Sequence, residues 1–138
     1  MQGHIMAVRN ARPLSPHLGI YKWGPHMLVS IMNRAMGVGL ATVGTLGFVG
    51  WLVALASGEA AYADFMSCVT SCYYLGYLIA IGLTFAFFFH MLAGIRHFVM
   101  DAGAGFELKA NRLWSWLTLG GAVVLTVGTW LIIFGKAV

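Results

Sequence analysis

The amino-acid sequence predicts an all-α membrane protein: three transmembrane helices, a cytoplasmic N-terminus and an interfacial segment ahead of the first span. Three observations carry that expectation. Hydrophobic residues make up 60% of the chain and charged residues only 9%, with a mean hydropathy of +0.84, which is too apolar for an ordinary soluble domain. Residues 35–58, 65–95 and 113–135 contain no Lys, Arg, Asp or Glu, and each run is longer than the ~20 residues a helix needs to cross the hydrocarbon core. A backbone in lipid must satisfy its own hydrogen bonds, so each run is expected to be helical. Finally, Arg9, Arg12, Lys22 and Arg34 precede the first run, and Arg96, Lys109 and Arg112 lie between the second and third. Only Lys136 lies on the other side, so the positive-inside rule puts the N-terminus and the second loop in the cytoplasm. The net charge of +4 then records topology and is not a nucleic-acid signal.

The chain reads as one membrane-anchor domain, with a cytoplasmic or interfacial segment over 1–27 and spans near 28–56, 66–99 and 113–135. The opening residues show neither the apolar core of a secretory signal nor an Arg- and Ser-rich transit segment, which points to a bacterial inner membrane. In RPLSPHLGIYKW, Pro13 and Pro16 discourage a continuous helix, and Tyr21 and Trp23 suit the membrane interface. At the start of the first span Ser30, Arg34, Gly37 and Ala41 follow an i, i+4, i+7, i+11 pattern. A hydroxyl and a guanidinium therefore share a face with small residues, forming a polar pocket at the membrane edge. Taken alone, Arg34 could equally snorkel to lipid phosphates. Gly44, Gly47 and Gly50 read as a helix-packing seam.

The second span is preceded by a short acidic outer loop, SGEAAYAD at 57–64, and carries Cys68 and Cys72. Their i, i+4 spacing suits packing better than a disulfide or a zinc site. The organising stretch is FFFHMLAGIRHFVMD at 87–101. On a helix His90, Gly94 and His97 lie along one face over roughly 10 Å. That face could hold a macrocycle edge-on, with His90 binding iron and His97 reaching its carboxylates; both histidines could instead bond to neighbouring helices, and the spacing does not choose. Phe85, Phe87, Phe88 and Phe89 could wall the same group or be core or lipid-facing residues. Asp101 sits one turn after His97 and is a natural partner for it, orienting the ring or passing protons, or forming an ordinary ion pair. Gly103 or Gly105 is placed to end the helix. The third span carries no chemistry and packs the bundle.

Three blocks give the chain a resemblance to the cytochrome b membrane-anchor subunits of succinate dehydrogenase, respiratory complex II: RPLSPHLGIY at 12–21, SIMNRAMG at 30–37 and HMLAGIRHFVMD at 90–101. The resemblance covers almost the whole chain in order and spacing. It implies that His90 is an axial ligand of a haem b whose other ligand comes from a second small membrane-anchor subunit, and that His97 lies near the haem propionates. Ser30 and Arg34 would belong to a ubiquinone pocket beside an iron-sulfur subunit. Succinate would be oxidised at FAD in a flavoprotein subunit, with electrons passing through iron-sulfur clusters to the quinone, so the chain would not be catalytic alone. Asn33 stands where the family usually has histidine, so a propionate or water contact there does not carry over unchanged; an amide donates a hydrogen bond but cannot become cationic. Two rival expectations remain: an anchor without an essential haem, and the anchor of a fumarate reductase.

Overall fold

Three long helices account for most of the chain in the computed structural model, which describes residue 19 and residues 21–71 and 73–136. The interfacial segment expected over 1–27 lies outside the described residues up to residue 18, as do the side chain of Cys72 and the proline pair. Three helical runs, Pro25–Ala56, Tyr74–Asp101 and Leu108–Lys136, are long and apolar enough to cross a membrane.

The first is composite. Helix α1 spans Pro25–Gly39, with Pro25 at its start, where a missing N–H costs nothing, and with the Gly24 carbonyl accepting from Met27 at 3.0 Å. A π-helical turn, Leu40–Gly44, then joins it to α2, Thr45–Ala56. The extra residue in that turn shifts the helix phase, and among the described residues α2 packs on the following helix but not on the two long ones. The expected glycine seam is correspondingly reduced. A Cβ on Gly47 would meet nothing, and one on Gly50 would meet only Phe65, at 3.5 Å.

The acidic outer loop is shorter than expected. The chain turns at Ser57 and Gly58, whose φ of +104° suits glycine, and helix α3 already begins at Glu59 and runs to Ser71. Glu59 in its first turn complements the helix dipole, and the alanine-rich EAAYA favours helix. The expected second span, 66–99, is therefore divided between the end of α3 and helix α4, Tyr73–Asp101. Helix α4 ends as anticipated. Gly103 has φ +84°, its N–H reaches the Met100 carbonyl at 2.8 Å, and Ala104 N–H reaches that of Val99 at 3.2 Å, a Schellman closure. Helix α5, Leu108–Lys136, starts five residues before the expected span because Lys109 and Arg112 are part of its first turns.

Helices α1, α4 and α5 pack on one another around Val29, Phe89, Ala93 and Ala122, with Met36, Phe85, Phe88 and Leu119 against them. Small residues set the approach: a Cβ on Gly121 would stand 3.0 Å from Leu92 Cδ1. Ser115, Thr118 and Thr126 are buried yet satisfied, each hydroxyl donating to the carbonyl four residues back in α5. Of the four phenylalanines, Phe89 is wholly enclosed and Phe87 faces outward.

Candidate functional site

The chemistry-bearing residues gather at the end of the bundle where α1 begins, α4 ends and α5 begins. One helical turn separates Ser30 from Arg34, and Arg34 Nη2 donates to Ser30 Oγ at 3.3 Å. Both line a cavity of about 400 Å³ together with Tyr21, Trp23, His26 and Ile31 from the α1 side and Arg96, His97, Met100 and Asn111 from the other two helices. The expected polar pocket is thus present, and it is shared by all three helices.

Arg96 changes character between sequence and structure. It is counted with the cytoplasmic basic residues yet falls inside the helix expected over 66–99; it is 6% exposed, and its Nη2 donates to Asn111 Oδ1 across the α4–α5 interface. Among the described residues its Nε has no hydrogen-bond partner. A buried guanidinium held by one amide presents a cationic wall to the cavity. No signal in the sequence linked Arg96 to Asn111. His26, by contrast, could have been found: it precedes Ser30 by one turn, as Ser30 precedes Arg34, and its half-buried ring lines the cavity, with Nδ1 unpartnered among the described residues.

His97 lines the cavity as well, and its Nδ1 lies 2.6 Å from the Ala93 carbonyl. A carbonyl only accepts, so Nδ1 carries the hydrogen in this bond. The partnership expected between His97 and Asp101 is not the one formed, because the carbonyl one turn back is in reach without ordering a second side chain. Asp101 is exposed as the last residue of α4.

His90 stands two turns deeper and outside the cavity lining. The three helices of this chain do not enclose it: the ring lies exposed in the groove between α4 and α1, where Nδ1 is 3.2 Å from the main-chain carbonyl of Asn33. Gly94, one turn on, has open space where a side chain would project. The Asn33 side chain is half-buried, with Oδ1 unpartnered among the described residues. Among the described residues no cluster of three or more His, Cys, Asp or Glu could hold a metal ion.

The fold and this basic, histidine-bearing end define a membrane-embedded helical subunit with an open imidazole on its flank and a cationic cavity at one end. Its sequence matches the family of succinate dehydrogenase and fumarate reductase transmembrane subunits over residues 8–129; the chain belongs to that family. It is 38% identical over 126 residues to a succinate dehydrogenase cytochrome b556 subunit of Paracoccus denitrificans, covering 91% of this chain and 95% of the relative. A cytochrome b556 subunit of Rickettsia felis is 33% identical, with 89% and 94% covered, and a cytochrome b560 subunit of Reclinomonas americana is 35% identical, with 88% and 85% covered. The chain is accordingly a subunit of a succinate:quinone oxidoreductase and a multi-pass inner-membrane protein.

Proposed function

We propose that this chain is the haem b-binding anchor of a bacterial succinate dehydrogenase, contributing half of a haem site and part of a ubiquinone-reduction site. The carrying observation is that Ser30 and Arg34 of α1 open onto the same cavity as His97 of α4, two turns from the exposed His90. The donor set fits a shared haem. A single exposed imidazole held through Nδ1 by the Asn33 carbonyl, with open space at Gly94 one turn on, would offer one axial ligand and leave the other to the second membrane-anchor subunit. The cytochrome b names of the relatives support the same cofactor. When bound, haem b takes up and releases single electrons.

The remaining roles belong to side chains of this chain. Arg34 and Ser30 hydrogen-bond one carbonyl oxygen of ubiquinone and stabilise the negative charge that oxygen gains as electrons arrive; a charged donor strengthens as the charge develops. His97 and the cationic Arg96, which line the cavity, would hold the haem carboxylates, while Asn33 would offer an amide where a cation would otherwise stand. Asp101, exposed at the same end of α4, exchanges protons with water at that surface. By the distribution of Lys and Arg this end is cytoplasmic, so the iron-sulfur subunit docks there, with the FAD-bearing flavoprotein beyond it, and lipid surrounds the rest.

The test is purification of the intact assembly through a tag on this chain, followed by a reduced-minus-oxidised spectrum. The expected result is co-purifying flavoprotein and iron-sulfur subunits and a b-type signal that His90→Ala abolishes. An assembly colourless in the haem region would leave only the structural-anchor reading.

A further inference from the structure

We infer that Gly37 is a positioning residue for His90: by lacking a side chain it opens the Asn33 carbonyl to the imidazole and so fixes which ring nitrogen faces the metal. The inference rests on the proposed reading of His90 as a haem ligand and assigns to α1 the control of that ligand's orientation.

The argument begins with helix geometry. In α1 the Asn33 carbonyl accepts the N–H of the residue four positions on, which is Gly37. A carbonyl oxygen has a second lone pair, but a side chain at Gly37 stands close to the approach to it. His90 takes this approach: its Nδ1 lies 3.2 Å from Asn33 O, joining residues 57 apart in sequence. A Cβ at Gly37 would sit 2.9 Å from His90 Cε1 and 3.3 Å from Nδ1, well inside the ~3.5–4.0 Å at which carbon atoms rest against one another. An alanine there and the observed ring position exclude each other. The ring would have to withdraw by several tenths of an ångström, and a contact already at 3.2 Å would lengthen beyond hydrogen-bonding distance.

The chemistry follows from the acceptor. A carbonyl cannot donate, so Nδ1 must bear the hydrogen, and the neutral ring then has its lone pair on Nε2, the nitrogen that the Asn33 carbonyl does not engage. Hydrogen bonding at the far nitrogen also makes the ligating nitrogen more basic, which favours the oxidised metal. The acceptor is main chain, so the Asn33 side chain is not needed for this bond. Gly39, two residues along the same helix, has nothing within 4 Å of where its Cβ would be and serves as an internal control.

The experiment compares Gly37→Ala and Gly39→Ala in the purified whole complex by redox titration of the b-type band and by electron paramagnetic resonance of the oxidised state. Gly37→Ala is expected to move the midpoint to a more positive value and alter the low-spin signal, or to release haem, whereas Gly39→Ala matches the wild type. A Gly37→Ala complex with wild-type midpoint and resonance overturns the inference. If that variant does not assemble, redox-difference infrared spectra of the wild-type complex with Nδ1-labelled histidine decide. A ligand ring mode showing Nδ1–H bonded to a carbonyl is expected, and its absence overturns the inference. A wild-type complex with no b-type signal defeats the underlying haem reading instead, so the two failures are distinct.

Discussion

The two ends of this bundle differ in what crosses between helices, although His97, Ser115 and Thr118 at the basic end also bond to the carbonyl one turn back in their own helices. At the basic end, side chains reach across helix boundaries: His90 to the Asn33 carbonyl, and Arg96 to Asn111. Toward the other end, hydroxyls turn back on their own helices, Thr42 to Val38, Thr70 to Met66, Thr126 to Ala122 and Thr129 to Leu125. Rings also meet between helices there, such as Tyr77 with Trp130 at 6.2 Å between centroids. A back-bonded hydroxyl is satisfied whatever its neighbours do, so that half tolerates sliding and replacement. A cross-helix bond holds two elements in register, and such bonds occur where a ligand has to be met with fixed geometry.

If the comparison is right, damage at the basic end reaches function first. Arg34→Leu is expected to lower kcat/KM for quinone reduction by roughly ten- to a hundredfold, the scale of one hydrogen bond from a charged donor, and Ser30→Ala by less. Succinate oxidation with a soluble acceptor should be unchanged in both. Equal loss of the two activities would mean misassembly and would remove the distinction between site and scaffold.

Asn111→Leu probes the same end through stability. It strips the amide from a nearly enclosed guanidinium, while Ser115 keeps its bond to the main-chain carbonyl of residue 111 at 2.7 Å. Thermal unfolding of the complex should show a loss of about 1–3 kcal/mol, the usual consequence of leaving a buried donor unmet. An unchanged transition would show that Arg96 finds water or a partner subunit instead, and that this bond between α4 and α5 is dispensable.

This division also explains how much could be read beforehand. The three spans were legible because a run without charge long enough to cross a bilayer has few other fates. The end of α4 was legible too, from Gly103, but the start of α5 was not, because Lys109 and Arg112 mark a loop by charge yet lie in its first turns. For the same reason Glu59 and Asp64 suggested a loop where α3 had already started. Within the site, Ser30 with Arg34 was legible since one helical turn separates them. The contact of His90 with Asn33 spans 57 positions and that of Arg96 with Asn111 spans 15, and no local periodicity encodes either. Gly37 appeared only as a small residue on a shared face; that its smallness serves an imidazole on another helix is a tertiary fact. Even a local pairing misled once: Asp101 is one turn from His97, but a main-chain carbonyl was available one turn the other way.

A finer separation within the basic end comes from Asn33, whose main chain and side chain have different duties. Asn33→His leaves the carbonyl that holds His90 in place and alters only a half-buried side chain whose oxygen is unpartnered among the described residues. Haem should be retained, with a modest midpoint shift in redox titration from the added imidazole. Haem loss in this variant would show that the side chain, and not the backbone, organises the groove.

The smallest effect is expected at the opposite kind of site. Thr126 is 6% exposed, and its hydroxyl donates to the Ala122 carbonyl at 2.7 Å, an oxygen that the N–H of residue 126 already occupies in the helix. Valine has nearly the same shape and leaves that acceptor satisfied, so the buried hydroxyl and its only bond are removed together. Thr126→Val should shift unfolding by no more than ~0.5 kcal/mol and leave the haem spectrum and quinone reduction at wild-type values. A loss comparable to that of Asn111→Leu would mean that hydroxyls in this half hold the helices together after all, and the contrast between the two ends would fail.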